Sequence, residues 1–291
     1  MIKCTKSFMM RSNLHTHTSF SDGSDLPEIY CEEAILRRFE SLGFSDHAPV
    51  PFENTFAIKE GKLESYVNAI LQLKEKYSSQ ELPLDVLLGL EIDFIPGISE
   101  PFDDFRSEFQ FDYLIGSVHL VKNEDTGNLW FIDGPDISIY DAGLKDVFDN
   151  DIRKAVTAYY KQLQSMILDH QPDIIGHLDK IKMYNRDRFF SESETWYTKL
   201  VDETLDIIVE TGCFVEVNTR GVYKKRSDTF FPGPEILKKI KKLDIPVTIV
   251  SDAHKPHELS LGFDEAITTL RSLGFDKTFT RTATGWKDVL L

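Results

Sequence analysis

Cysteine is scarce in this 291-residue chain, with only Cys4, Cys31 and Cys213. The number is odd and no two stand in CxxC spacing, which argues against a disulfide framework and a thiolate zinc site. No stretch approaches the ~18 apolar residues of a membrane helix. The opening Met1-Ile2-Lys3-Cys4 has no apolar core of the kind a secretory signal needs. Basic residues are in deficit too, 33 Lys and Arg against 48 Asp and Glu, for a formal net charge of −15. A nucleic-acid binder would show a basic footprint instead. No Pro/Gly/Ser linker, internal repeat or low-complexity tract divides the chain. These absences predict one domain over residues 1–291, cytoplasmic, with neither membrane nor nucleic acid as partner. Hydrophobic residues at 41% suffice for a sizeable core.

Histidine and carboxylate, by contrast, recur in one kind of place. Seven short apolar runs end in Asn13-Leu14-His15-Thr16-His17, Ser45-Asp46-His47, Gly89-Leu90-Glu91, Gly116-Ser117-Val118-His119, Gly176-His177-Leu178-Asp179, Glu216-Val217-Asn218-Thr219 and Ser251-Asp252-Ala253-His254. Six of the eight histidines lie in these segments. Between the runs, helical apolar spacing covers residues 27–38, 63–77, 151–169, 192–210, 234–243 and 259–273. The runs at 86–90, 113–118, 173–176, 213–217 and 247–250 are continuous and of strand length, as in a parallel sheet covered on both faces. Strand then helix, repeated about seven times, predicts an α/β fold. The candidate ligands fall at the C-terminal strand ends, where barrel enzymes place their chemistry. We therefore expect a closed or nearly closed TIM-barrel-like fold. The longer loops at 95–111 and 122–146 are candidate lids or walls.

His15 and His17 stand at i and i+2 of an extended segment, so both imidazoles face one side. Asp252 and His254 repeat that spacing. Glu91 closes a wholly apolar run, and a carboxylate buried there must be paired or metal-bound. Its two oxygens suit a bridge between ions. His119 and His177 share one form, apolar residues, then Gly, then His. Of the neighbours Asp46 and His47 only one can face inward. We choose His47 as the ligand and leave Asp46 to orient it or to move a proton. Asp22 could reach in from the first loop, and a turn aspartate is the equal alternative. The candidates His15, His17, Asp22, His47, Glu91, His119, His177, Asp252 and His254 exceed what one ion can use, so two or three divalent ions are implied. With no thiolate present, Zn, Mn or Fe fits.

Taken together, His15-Thr16-His17 with Ser21-Asp22-Gly23, Ser45-Asp46-His47, Gly89-Leu90-Glu91, Gly116-Ser117-Val118-His119, Gly176-His177 and Asp252-Ala253-His254 resemble the PHP (polymerase and histidinol phosphatase) superfamily. That resemblance implies a distorted seven-stranded (β/α)7 barrel with a trinuclear centre. One ion would take His15, His17, Glu91 and Asp252. A second would take Glu91, His119 and His177, and a third Asp22, His47 and His254. Glu216-Val217-Asn218-Thr219-Arg220-Gly221 and Phe231-Pro232-Gly233-Pro234 are similar to the histidinol-phosphatase branch. The branch implies hydrolysis of L-histidinol phosphate in histidine biosynthesis. Relatives often carry an arginine soon after Gly-His-x-Asp, where this chain has Lys180, Lys182 and later Arg186.

The expected reaction is attack at phosphorus by a hydroxide held between the ions. Arg220 would neutralise the phosphoryl oxygens and Asp46 or His254 would protonate the leaving group. Arg220, Lys225, Lys182 and Arg186 are the expected substrate contacts, and Asp93, Asp103 or Asp104 the expected acidic wall for the substrate's amine and imidazole. The alternatives are a PHP phosphoesterase of nucleotides or other small phosphate esters, and a metal-binding regulatory module without catalysis. A nucleic-acid 3′ end is disfavoured by the acidity and by the lack of stacking aromatics beside a basic groove.

Overall fold

A computed structural model describes residues 11–78 and 84–291; Cys4 lies outside them. Cys31 and Cys213 are buried free thiols. The chain runs β1 (Arg11–Asn13), α1 (Pro27–Leu36), β2 (Phe39–Phe44), α2 (Leu63–Ser78), β3 (Asp85–Asp93), α3 (Phe102–Glu108), β4 (Tyr113–Ser117), β5 (Leu120–Lys122), β6 (Leu129–Phe131), α4 (Ile137–Phe148) and α5 (Ile152–His170). It continues through β7 (Ile174–Ile175), α6 (Thr195–Thr211), β8 (Phe214–Asn218), a one-turn α7 (Arg220–Tyr223), α8 (Pro234–Lys242), β9 (Val247–Val250), α9 (Phe263–Ser272), β10 (Lys277–Thr282) and β11 (Gly285–Leu290).

Seven of these strands form one parallel sheet in the order β1-β2-β3-β4-β7-β8-β9. The two edges meet just beyond β1 and β9. The His17 N–H donates to the Ala253 carbonyl at 2.8 Å and the Ala253 N–H to that of His15 at 3.1 Å, with Thr16 bridging Ala253 in parallel. The barrel is therefore nearly closed, as the alternation predicts, and its edge hydrogen bonds run through the ligand segments themselves.

Burial explains the elements. On α5, Ala155, Val156, Tyr159, Tyr160, Leu163, Met166 and Ile167 repeat at helical spacing and pack inward. Asp151 caps its start, accepting from the Lys154 N–H at 2.9 Å. Inside the barrel, Leu14, Leu87, Tyr113, Ile115, Ile174 and Val250 form a separate apolar layer. Tyr113 crosses this layer to donate to the Leu14 carbonyl. It can do so because Gly43 and Gly89 face it, and a Cβ would stand 2.1 Å from its hydroxyl at Gly43 and 2.4 Å from its ring at Gly89. The antiparallel hairpin β10–β11 packs against this apolar layer, where Trp286 stacks on Phe214 at 3.8 Å.

Two stretches read as plain loops are structured. Residues 95–111 contain α3. Residues 122–146 contain β6, which pairs with β5, and most of α4. Among the described residues no helix is long and apolar enough to cross a membrane.

Candidate metal centre

Glu91 is the hub of the strand ends. It follows the apolar run of β3 and is 1% exposed. Its Oε2 lies 3.2 Å from His15 Nε2, 3.4 Å from His17 Nε2 and 3.1 Å from His47 Nδ1. Its Oε1 lies 3.3 Å from His177 Nε2 and 3.8 Å from His119 Nε2, and accepts from Ser117 Oγ at 2.6 Å. Gly176 makes room for that hydroxyl, since a Cβ there would stand 2.1 Å from Ser117 Oγ.

Around the hub, Asp252 Oδ1 is 3.5 Å from His17 Nε2 and 3.4 Å from His254 Nδ1. Asp22 joins from the loop after β1, with Oδ2 3.0 Å from His254 Nε2 and Oδ1 3.7 Å from His17 Nδ1. The structure thus brings all nine candidate ligands together. Eight of them fall into three close groups, His17-Asp22-His47-His254, His15-His17-Asp252 and His47-Glu91-His119, and His177 joins through Glu91. His17 and His47 each belong to two groups, a sharing that differs from the three-ion partition implied by the resemblance. Two of the nine hold left-handed backbone, Asp252 at φ 51° and His177 at φ 21°, a strain typical of functional positions.

Behind the ligands stands a layer of orienting groups. Glu216 Oε2 accepts from His15 Nδ1 at 2.8 Å, while its Oε1 takes the His177 N–H and the Asn218 amide, both at 2.8 Å. A carboxylate partner holds the proton on His15 Nδ1, so Nε2 is the nitrogen left to ligate an ion. The Asp252 carbonyl, 3.1 Å from His254 Nδ1, does the same and turns His254 Nε2 toward Asp22. Glu216 was legible only as the head of a motif. The signal for its role was its i, i+2 relation to Asn218 on an apolar strand.

Electrostatics follow from burying so many charges. Burial pulls the His17 imidazole down to about 3, helped by the neighbouring His254 and His47. Burial would also lower His119, but Glu91 and Asp93 outweigh it and hold the ring up to about 9. His15 is likewise raised, burial being overcome by Glu216, Glu91 and Asp252. Glu91 is held well below the usual carboxylate range. There, burial is overcome by His15, His47 and His119.

Among the described residues several ring and carboxylate atoms are buried without a hydrogen-bond partner, including His15 Nε2, both His17 nitrogens, His47 Nδ1, Glu91 Oε2 and Asp252 Oδ1. Orphaned buried polar atoms are costly, and here they converge as nitrogen and oxygen donors without sulfur. The residues fit a divalent-metal cluster.

A cavity of about 280 Å³ opens over this cluster, lined by Asp22, His47, Glu91, His119, Asp252 and His254 together with Arg220, Arg226, Asp133, Phe56 and Phe131. Arg220 lies in it as expected but is tethered, donating to the Asp252 carbonyl at 2.7 Å and lying 3.7 Å from Glu258. Lys182, Arg186 and Lys225 are placed elsewhere. Lys182 is buried against Asp179 at 2.8 Å and Glu192 at 3.1 Å. Arg186 is exposed, donating to the Lys225 carbonyl at 3.2 Å and pairing with Asp228. Lys225 sits exposed on a left-handed turn. In each case a nearer acid or solvent takes the charge.

Asp46 also lies outside the cavity lining. It is fully buried and accepts from the Thr18 N–H (2.8 Å), the Ser21 N–H (3.1 Å) and Ser21 Oγ (2.6 Å). It therefore anchors the loop that presents Asp22. Burial lifts its carboxyl to about 6 despite hydrogen bonds from Ser21 and Thr18. Asp93 stands behind His119, taking its N–H at 2.9 Å. Asp103 and Asp104 are exposed on α3. The cavity acid that sequence reading missed is Asp133, 3.0 Å from Lys180 Nζ and 3.9 Å from Arg226.

An α/β barrel with a nitrogen- and oxygen-ligand cluster at its C-terminal mouth is the architecture of a metal-dependent enzyme. The chain belongs to the PHP domain family, whose model matches residues 13–220. It is 26% identical to the histidinol-phosphatase of Bacillus subtilis over 273 residues, 88% of this chain and 98% of the relative. A Listeria monocytogenes structure superposes with a TM-score of 0.74 at 22% identity, covering 88% of this chain and 99% of that one. The histidinol phosphate phosphatase of Lactococcus lactis, solved with zinc, L-histidinol and phosphate, superposes with a TM-score of 0.68 at 20% identity over 95% of this chain and 98% of that one.

Proposed function

We propose that this protein is a metal-dependent phosphomonoesterase, a histidinol-phosphatase that converts L-histidinol phosphate to L-histidinol and phosphate. The observation that carries the reading is Glu91, whose two oxygens are shared among five histidines beneath two arginines in a small cavity. The likeness to named histidinol-phosphatases over most of the chain supports the substrate. Residues 1–291 then act as one catalytic unit.

His15, His17, Asp22, His47, Glu91, His119, His177, Asp252 and His254 would hold two or three ions, zinc, manganese or iron. Such ions lower the pKa of water and act as Lewis acids toward phosphoryl oxygens. The chain's own residues do the rest. Glu216 and the Asp252 carbonyl fix the tautomers of His15 and His254, so lone pairs face the centre. Among the described residues Arg226 has one distant ion-pair partner, Asp133 at 3.9 Å, and no side-chain hydrogen bond, which leaves its planar fork free for a phosphoryl group. Arg220, already committed, supplies positive charge beside Asp252 and steadies that ligand. His254 lines the cavity and would serve the leaving oxygen in a two-ion form that leaves it unligated, whereas Asp46 is sealed behind the loop. On this reading the protein acts in the cytoplasm on a free small-molecule substrate.

Turnover of L-histidinol phosphate, AMP, a simple alkyl phosphate and single-stranded DNA, each with Zn or Mn, tests it. Histidinol phosphate should lead by at least about tenfold, and parity with the alkyl phosphate would sink the substrate claim. Elemental analysis of the purified protein should give two or three ions per chain.

A further inference from the structure

The cavity lining is of two kinds. One is the ligand cluster with Arg220 and Arg226, and the other is aromatic, Phe56 and Phe131. Phe56 stands edge-on to His47, ring centroids 5.4 Å apart at 80°. Phe131 faces Phe56 nearly in parallel, 6.3 Å away at 10°. Both rings are part-exposed and line the cavity, so they are available to a ligand.

Each ring is held by a built support. Asn54 Oδ1 accepts the Phe56 N–H at 3.1 Å and the Ala57 N–H at 2.8 Å, and the Ile58 N–H returns to the His47 carbonyl at 3.0 Å. Phe131 sits opposite Leu120 in the β5–β6 ladder. Its neighbour Ile132 donates to the His119 carbonyl at 2.9 Å, and the buried Trp130 is pinned to the Tyr140 carbonyl at 3.0 Å. Two separate elements thus lead from metal-type ligands directly into the two rings.

The carboxylates of the cavity, meanwhile, are spoken for. Asp22, Glu91 and Asp252 belong to the cluster, and Asp133 faces Lys180 and Arg226. The organic end of a substrate therefore meets aromatic faces. We infer that Phe56 and Phe131 are specificity residues that select phosphate monoesters of alcohols bearing a planar ring, by stacking on that ring. The inference rests on the phosphatase reading above and names the substrate feature that the site selects.

The test compares kcat/KM for L-histidinol phosphate, 2-phenylethyl phosphate and the ringless phosphoethanolamine in the metal-loaded wild type, Phe56→Ala, Phe131→Ala and the double variant. The preference for both ring-bearing esters over phosphoethanolamine should fall about fivefold per ring removed, as expected for loss of one aromatic contact. Phosphoethanolamine turnover and metal content should stay within about twofold of wild type. Phe56→Leu and Phe131→Leu keep apolar volume without a π-face and should lose most of the same preference. They also serve as the readout if an alanine variant fails to fold. An unchanged preference in the double variant, or an equal fall for all three esters, overturns the inference. If wild type prefers 2-phenylethyl phosphate and neglects histidinol phosphate, the substrate reading fails while the ring wall stands.

Discussion

Glu216 touches no substrate in this reading, yet three polar groups converge on it: the His15 ring, the His177 N–H and the Asn218 amide. Glu216→Gln preserves shape while removing the charge that fixes the His15 tautomer. Metal affinity should fall about 10- to 100-fold, measured by titration of the ion-free protein with zinc, and unchanged affinity would deny Glu216 an orienting role. The two arginines should separate as well. Arg226→Ala should raise KM for the phosphate ester roughly tenfold or more while the metal content holds, the cost of a charge-assisted contact. Arg220→Ala should lower kcat/KM and metal content together, because Asp252 loses the guanidinium that grips its carbonyl at 2.7 Å. Metal content falling in Arg226→Ala and not in Arg220→Ala would reverse these roles.

At the scale of elements, much was legible because period and punctuation agree. The run Val86 to Leu90 ending in Glu91 reads as a buried strand with a committed carboxylate, and β3 is that strand. The helical spacing at 63–77, 151–169 and 234–243 lands on α2, α5 and α8 within a residue or two. What could not be read was held by non-local pairing. β5 and β6 are three residues each, too short for a period to register, so Phe131 and Asp133 lay hidden in an apparent loop. The cations after Gly176-His177 failed for another reason. Lys182 turns to Asp179, three residues back, and to Glu192, ten residues on, so both ends of its pairing lie away from the cavity lining. The terminal hairpin β10–β11 was likewise unmarked, although it packs on the apolar layer inside the barrel. Trp286→Ala removes its stack on Phe214 and should cost about 1–3 kcal/mol of stability in denaturant unfolding. Because this contact lies away from the cavity-lining residues, kcat should be unchanged, and a large loss of kcat would mean that the hairpin shapes the active mouth.

For the molecule as a whole, the centre makes stability, metal and pH one problem. Without ions the barrel mouth buries a set of unpartnered ring and carboxylate atoms, so ions that bind the folded state and not the unfolded one must stabilise it. Chelation should lower Tm by several degrees, and zinc should restore it. The direction with pH follows from the raised histidines. In the ion-free cluster His119 is held up to about 9 and His15 is raised too, so at pH 7 the His119 ring carries a proton. A ligating imidazole must be neutral, so metal uptake at pH 7 must expel protons, and apparent affinity must rise as pH goes from 6 to 9. Calorimetric titration of the ion-free protein with zinc, in two buffers of different ionisation enthalpy, measures the number released. At least one proton per chain should leave at pH 7 and fewer at pH 9.5, where His119 is already largely neutral. Zero release at pH 7 would mean that the carboxylates around Glu91 do not hold the His119 imidazole charged before the ions arrive.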